Sequence, residues 1–359
     1  MKFGLFYHVQ WPETKTQEQV FAELITEVQH AEELGFHSLW MAEHHFTRYG
    51  LASSPLTVAT YLAAKTSKIR LGTAISVLPF QNPILLAEQV ALLDVLSNGR
   101  VDLGVGRGIA GSNEYVDMSV AATVSEGRFT EMLDILPGLW TTPQFSYKGA
   151  HYQLDEVTLV PKPVQQPHPP VYIGVSSTEA RIREAVDRGW QICSGVVIDY
   201  DDHLDIRRTY NRLAAEKGGG LDSSGSPVFY HTYVAETHEE AREGPKEALR
   251  WMYHMVDFRR TISKGSDLDA DFPGFVREHP DPSFIGIPGR HAMPSDPYDY
   301  VCQKRAFFGT PEEVTAGIKG LQAQGVEYYV CDFSFGGNDH SKVMRSMELF
   351  AKEVMPHFS

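Results

Sequence analysis

A short apolar run, Ser38-Leu39-Trp40-Met41-Ala42, ends abruptly in Glu43, His44 and His45. Unbroken apolar character over so few residues is expected of a parallel strand covered on both faces. The same kind of run recurs along the chain, separated each time by a segment of helical period. Strands are expected at Phe3–His8, 38–42, Ile69–Ile75, Val101–Val105, Val171–Val175, Trp190–Ser194, Val228–Ala235 and Glu327–Phe333. The intervening helices are expected at Thr16–Leu34, Pro55–Ala64, Pro83–Leu96, about Glu126–Leu139, Glu179–Arg188, His203–Lys217 and His238–Val256. Two more follow, one opened by Thr310-Pro-Glu-Glu and one over about Ser341–Glu353. Crossovers of this length and period require parallel strands. Eight strands with covering helices give one α/β domain over residues 1–359, a single (β/α)8 TIM barrel with insertions.

Two stretches interrupt the alternation. Residues 142–170 are rich in proline and aromatics, and Lys148-Gly149 between Phe145-Ser-Tyr and Tyr152-Gln-Leu reads as a small hairpin. Periodicity fails from about 258 to 304, where prolines alternate with glycines and charges. A connection that long is usually functional, and a lid is expected there.

In such a barrel, chemistry gathers at the carboxyl ends of the strands, where Glu43, His44 and His45 stand. Taken alone, two loop histidines are more often hydrogen-bonded loop residues or helix caps than catalytic groups. Adjacent residues of extended chain point opposite ways, so no metal site is expected at this triplet. His8 and His231 also fall near strand ends. After the fourth strand, Gly104-Val-Gly-Arg107-Gly108 lets backbone approach a ligand while Arg107 can fork onto a phosphate or carboxylate. Gly174-Val-Ser-Ser-Thr178 opens a helix, where free N–H groups suit an anion or simple capping. Small residues in Gly72-Thr-Ala-Ile75 admit either a flat ring or tight packing.

A net charge of −14 with no Lys/Arg cluster argues against nucleic acid and anionic membrane as partners. Three widely spaced cysteines suit a reducing compartment, and no signal or spanning segment is visible, so a soluble cytoplasmic protein is expected.

Met1-Lys-Phe-Gly, Leu39-Trp-Met-Ala-Glu-His-His-Phe46, Gly72-Thr-Ala with Val77-Leu-Pro79, Leu92-Leu-Asp with Gly99-Arg100, and Arg107-Gly108 occur here in order. Phe308-Gly-Thr-Pro-Glu-Glu-Val314 and Leu349-Phe-Ala-Lys-Glu-Val-Met-Pro356 follow. Together they resemble the bacterial luciferase-like flavin monooxygenases, the luciferase alpha subunit above all. The resemblance runs nearly end to end, densest over 1–110 and weakest over 180–305.

That resemblance implies a luciferase-like barrel binding reduced FMN from a separate flavin reductase. Oxygen would react at flavin C4a, and one oxygen atom would pass to a small organic substrate, with aldehydes one class. His44 would be the acid–base residue, supported by His45 beside Glu43. Arg107 would hold the FMN phosphate with Ser176, Ser177 and Thr178; Gly106 and Asn113 would lie near the cofactor. A non-proline cis peptide would fall at Ala74–Ile75, under the flavin ring. A homodimer through the second and third helices is implied, with Leu62, Leu86, Val90 and Leu93 available for it or for the barrel.

Three positions depart from the alpha subunit. Gly106 replaces a reactive cysteine, which argues against long-lived light emission; Asn113 replaces an acid that Glu114 can cover; Val175 replaces a carboxylate. Other readings are hydride transfer with the deazaflavin F420, a non-catalytic flavin-binding subunit, and a barrel hydrolase using Glu43.

Overall fold

The computed structural model describes residues 1–176, 178–261, 267–282 and 297–358. Among the described residues there are eleven strands: β1 Lys2–Tyr7, β2 Ser38–Met41, β3 Arg70–Val77, β4 Val101–Gly106, β5 Phe145–Lys148, β6 Gln153–Val157, β7 Val171–Gly174, β8 Gln191–Cys193, β9 Val228–Val234, β10 Ala306–Gly309 and β11 Tyr328–Asp332. Nine of them form one parallel sheet, in the order β10-β9-β11-β1-β2-β3-β4-β7-β8. The pair β5–β6 is antiparallel, the hairpin expected within 142–170.

Local chemistry explains where the elements start and stop. Thr16 caps the helix Gln17–Leu34 in a capping box with Gln19, and Gly35, at φ 89°, ends it. Asn82 caps Pro83–Ser97 ahead of a proline at its first position. Thr310 does the same for Pro311–Ala323, with Glu313 closing a second capping box.

The sheet is rolled. Trp40 on β2 meets Tyr172 on β7 at 4.9 Å and Phe229 on β9 at 6.0 Å between ring centroids, although neither strand neighbours β2. Such contacts require the sheet to curl around a filled interior. Trp40 is fully buried, and its Nε1–H donates to Ser38 Oγ and to the Tyr328 hydroxyl. Gly72 serves that packing: a Cβ there would lie 2.4 Å from the Trp40 ring, so this small residue makes room for tryptophan rather than for a ligand. Among the described residues no backbone ladder joins β8 to β9. Ser226, just ahead of β9, bridges to β8 there, accepting from Ile192 N at 3.2 Å and donating to Gln191 Oε1 at 2.6 Å.

Three sequence expectations need correction. The helix expected over His238–Val256 is two, His238–Glu243 and Lys246–Thr261, because Pro245 has no N–H to continue the first. The stretch 258–304 is not wholly irregular: Lys246–Thr261 runs into it, and Leu268–Glu278 and Pro297–Lys304 are helices, while 262–266 and 283–296 lie outside the described residues. β10 was missing from the expected strands; its four residues are too few to show a period.

Leu62, Leu86, Val90 and Leu93 are all 0–1% exposed and face the barrel. A different apolar set on the same two helices, Tyr61, Leu85, Leu92, Val95 and Leu96, is exposed. Among the described residues no helix is long and apolar enough to cross a membrane.

Candidate active site

The strand ends open into a cleft of two lobes, about 610 Å³ and about 470 Å³. Ala74, Ile75, Gly108 and Ile109 line both, so the lobes meet over the end of β3 and the turn after β4. The Ala74–Ile75 peptide bond is cis, as the resemblance implied. Gly106 lies against its floor, where a Cβ would stand 1.9 Å from Ile75 Cδ1.

The smaller lobe contains Glu43, His44, His45, Asn113 and Glu114. Leaving β2, the chain sends His44 and His45 to different carboxylates. His45 Nε2 lies 3.1 Å from Glu43 Oε1, and Glu43 is buried, accepting from Val77 N at 3.1 Å and Gln81 Nε2 at 3.3 Å. Burial raises the Glu43 carboxyl despite these bonds. His44 Nδ1 lies 3.1 Å from Glu114 Oε1, which also accepts the His45 backbone N–H at 3.0 Å. Arg259 Nη2 completes this cluster, 3.1 Å from Glu114 Oε1 and 3.3 Å from His44 Nδ1.

His44 Nδ1 faces two partners with opposite demands: the Glu114 carboxylate only accepts and takes an Nδ1–H, whereas the Arg259 guanidinium only donates and takes a lone pair. Burial, with the charge of Arg259 second, pulls the His44 pKa below the usual histidine value. Burial alone would raise Glu114; the hydrogen bond and charge of His44, with Arg259 and the His45 N–H, outweigh it and hold the carboxyl at about 2. Arg259 and the His45 N–H are permanent donors, so Glu114 stays ionised beside a neutral imidazole.

Tyr49 backs this group. The His44 ring meets it edge-on at 4.7 Å between centroids, and the Arg259 guanidinium lies over its face at 4.5 Å. The Tyr49 hydroxyl reaches His8 Nε2 at 3.1 Å. His8 is buried beside Asp332, which accepts from His231 Nδ1 at 2.9 Å. His8 and His231 therefore stand behind the lobe's wall and not in it.

The larger lobe contains Gly106, Arg107, Val175, Ser176 and Thr178, and also Glu126, Arg181 and Glu184. Ser177 lies outside the described residues. Arg107 comes from the turn after β4, and Arg181 from the first turn of the helix Glu179–Arg188. Glu126 bridges them, with Oε2 3.2 Å from Arg107 Nη1 and Oε1 2.7 Å from Arg181 Nη2. Cys193 also lines this lobe, but burial pushes its thiol up to about 12, which leaves it protonated and unreactive.

Asn113 Nδ2 donates to Arg259 O at 3.1 Å, while Glu114 lies against the imidazole of His44. Sequence reasoning overlooked Arg181, although an arginine three residues after Thr178 at a helix start faces any anion bound there. It also overlooked Arg259, which lies just inside the stretch read as aperiodic.

A parallel barrel with this cleft at its strand ends defines a TIM-barrel enzyme of the luciferase type. The family model described as luciferase-like monooxygenase matches residues 1–328, and the chain belongs to that family. It is 30% identical to the oxygenase component of the flavin-dependent trigonelline monooxygenase of Acinetobacter baylyi, covering 100% of this chain and 96% of that one. To the alkanal monooxygenase alpha chain of the Kryptophanaron alfredi symbiont it is 27% identical, covering 99% and 98%. A solved monooxygenase from Streptomyces bottropensis superposes with a TM-score of 0.83 at 26% identity, covering 100% of both chains.

Proposed function

We propose that this protein is the oxygenase component of a two-component flavin monooxygenase. It would take reduced FMN from a separate flavin reductase, use O2, and deliver one oxygen atom to a small organic substrate while the other leaves as water. The observation that carries this reading is the pairing, across one shared apolar floor, of a two-arginine anion seat with a histidine held against a carboxylate.

The donor set fits FMN. Two guanidiniums whose shared partner is the side chain of Glu126, together with Ser176 and Thr178 at a helix start, suit a phosphate dianion. Ala74 and Ile75 offer an apolar floor for a flat ring between the lobes, whose sizes are ordinary for a cofactor and a small substrate. Bound reduced FMN supplies the two electrons that oxygen activation needs.

The chain's own groups then manage position, water and protons. Arg107, Arg181, Ser176 and Thr178 would anchor the phosphate, with Gly106 beside them. His44 would hold or return a proton in the adjoining lobe, with Glu114 against its Nδ1. Glu43 and His45 form a buried hydrogen-bonded pair behind it. Phe258 packs on Phe272 and Phe275 at 5.2 and 5.5 Å, which joins the helix Leu268–Glu278 to the wall carrying Arg259 and supports a lid role for the 258–304 insertion. Cytoplasmic residence and a homodimer through the exposed apolar set belong to the same proposal.

The test combines FMN, NADH, a flavin reductase and 18O2 with a substrate screen that starts from aldehydes, read by mass spectrometry, with F420 titrated in parallel. One 18O atom in a product, abolished by His44→Ala with FMN binding retained, is expected. Hydride transfer to or from F420 with no label incorporated would replace this reading.

A further inference from the structure

We propose that Glu126 is a built-in competitor for the anion seat, setting how loosely the protein holds a phosphate-bearing ligand. This rests on the reading of the larger lobe as a phosphate site.

Glu126 has the geometry of an occupant, not of a support. One carboxylate oxygen goes to each arginine, and the two arginines come from different elements, the turn after β4 and the helix Glu179–Arg188. Arg181 does not need Glu126 in order to be held, and Arg107 is fixed at its backbone. Arg181 is only 16% exposed, clamped by Glu184 Oε2 at 2.5 Å and lying over the buried Phe129 ring at 4.2 Å. The backbone at Arg107 is pinned through its carbonyl by the Tyr115 hydroxyl. Glu126 itself is 55% exposed, so it can swing into solvent at little cost when a better anion arrives.

What surrounds Glu126 is shaped for more charge than one carboxylate carries. Thr178, the N-cap of the ten-residue helix Glu179–Arg188, makes no side-chain cap bond, so its own hydroxyl does not occupy the first-turn N–H groups at the end of the helix that carries Arg181. A dianionic phosphate with three acceptor oxygens uses these donors together; Glu126 uses only the arginines. Binding must therefore displace Glu126, and the ligand's affinity is reduced by whatever that pairing contributes. For a cofactor that arrives reduced from another protein and leaves oxidised, a weakened hold is what turnover requires.

The two acidic neighbours of Arg181 should then act with opposite sign. Glu126→Gln removes the competitor, while Glu184→Gln removes the clamp that orients Arg181. FMN and riboflavin binding are measured by flavin fluorescence at fixed ionic strength, and inorganic phosphate by thermal shift, for the native protein and both variants. Glu126→Gln should bind FMN about five- to tenfold tighter, the range two exposed ion pairs can supply, with riboflavin unchanged. Glu184→Gln should bind FMN more weakly. Tightening by both variants would reduce the effect to bulk charge and overturn the proposal, as would unchanged or weaker FMN and phosphate binding in Glu126→Gln. If no protein binds flavin but Glu126→Gln still gains phosphate affinity, the competitor role stands and the flavin reading fails.

Discussion

His44 Nδ1 and Glu114 Oε1 lie 3.1 Å apart, and that same oxygen holds the His45 backbone N–H and faces Arg259. The histidine is therefore set from two directions: Glu114 raises its pKa and Arg259 lowers it, with burial the largest influence. Each neighbour can be removed separately.

Glu114→Gln takes away the group that favours the imidazolium. Activity that depends on neutral His44 falls as pH drops through the His44 pKa, and in this variant that acid limb should move to lower pH. The maximal rate should fall about tenfold or more, less than the full loss of a positioned proton-transfer group. A pH–rate profile measures both, and an acid limb that does not move would refute the pairing as the control on His44.

Arg259→Gln should shift the same limb the other way. Its charge disfavours protonated His44, and without it Glu114 is left with the imidazole and one backbone N–H. The His44 pKa should rise, followed by NMR of ring-labelled histidine with no need for turnover. The resonance to watch is the one that Glu114→Gln moves down.

Buried histidines make the fold acid-sensitive. Burial holds His203 at about 3, and burial with Lys2 and Arg70 holds His37 at about 4. Both fall below their unfolded value near 6.5, so their stabilising effect is complete above pH 6.5 and is lost as pH falls toward those values. Each fully coupled proton contributes a slope of about 1.4 kcal/mol per pH unit. Denaturation by urea between pH 4 and 6.5 should show stability declining, with a shallower slope in His203→Gln. Equal slopes in the two proteins would mean that His203 titrates alike folded and unfolded.

How legible this was in the sequence depended on whether the signal was local. The capping boxes at Thr16 and Thr310 and the glycine stop at Gly35 are written within a few residues, and the helices begin and end there. The cleft residues His44, Arg107, Ser176 and Thr178 stand at strand ends, so finding the strands was enough to bring them to one face. Arg259 is different. It reaches His44 across 215 residues of sequence, from a helix whose end is hidden by the irregular stretch that follows it, and no spacing rule encodes that contact. Glu126 likewise has no local pattern, because its meaning comes from two arginines on two other elements. Leu86 and Leu93 stayed open between the barrel and a dimer contact for another reason: a helix apolar on most of its surface does not reveal which stripe faces the barrel.

That helix supplies the last prediction. On Pro83–Ser97 the residues Leu85, Leu92 and Leu96 are 56%, 48% and 59% exposed, and they recur at spacings of seven and four on one face. Tyr61 on the neighbouring helix Pro55–Ala63 is 53% exposed. The neighbouring stripe, Leu86, Val90 and Leu93, about 100° further round the helix, already fills the barrel side, so core packing does not account for the outer one. An apolar face of this kind, spread over two adjacent helices, is the usual mark of a protein contact, and a second copy of the chain would bury it symmetrically as a four-helix layer. Light scattering should give the native protein twice the mass of one chain, 40.2 kDa. Leu92→Arg with Leu96→Arg places like charges across the twofold axis and should yield a monomer with its fold intact by circular dichroism. A native protein that runs as a monomer, or a double variant that stays dimeric, would assign this face to something other than self-association.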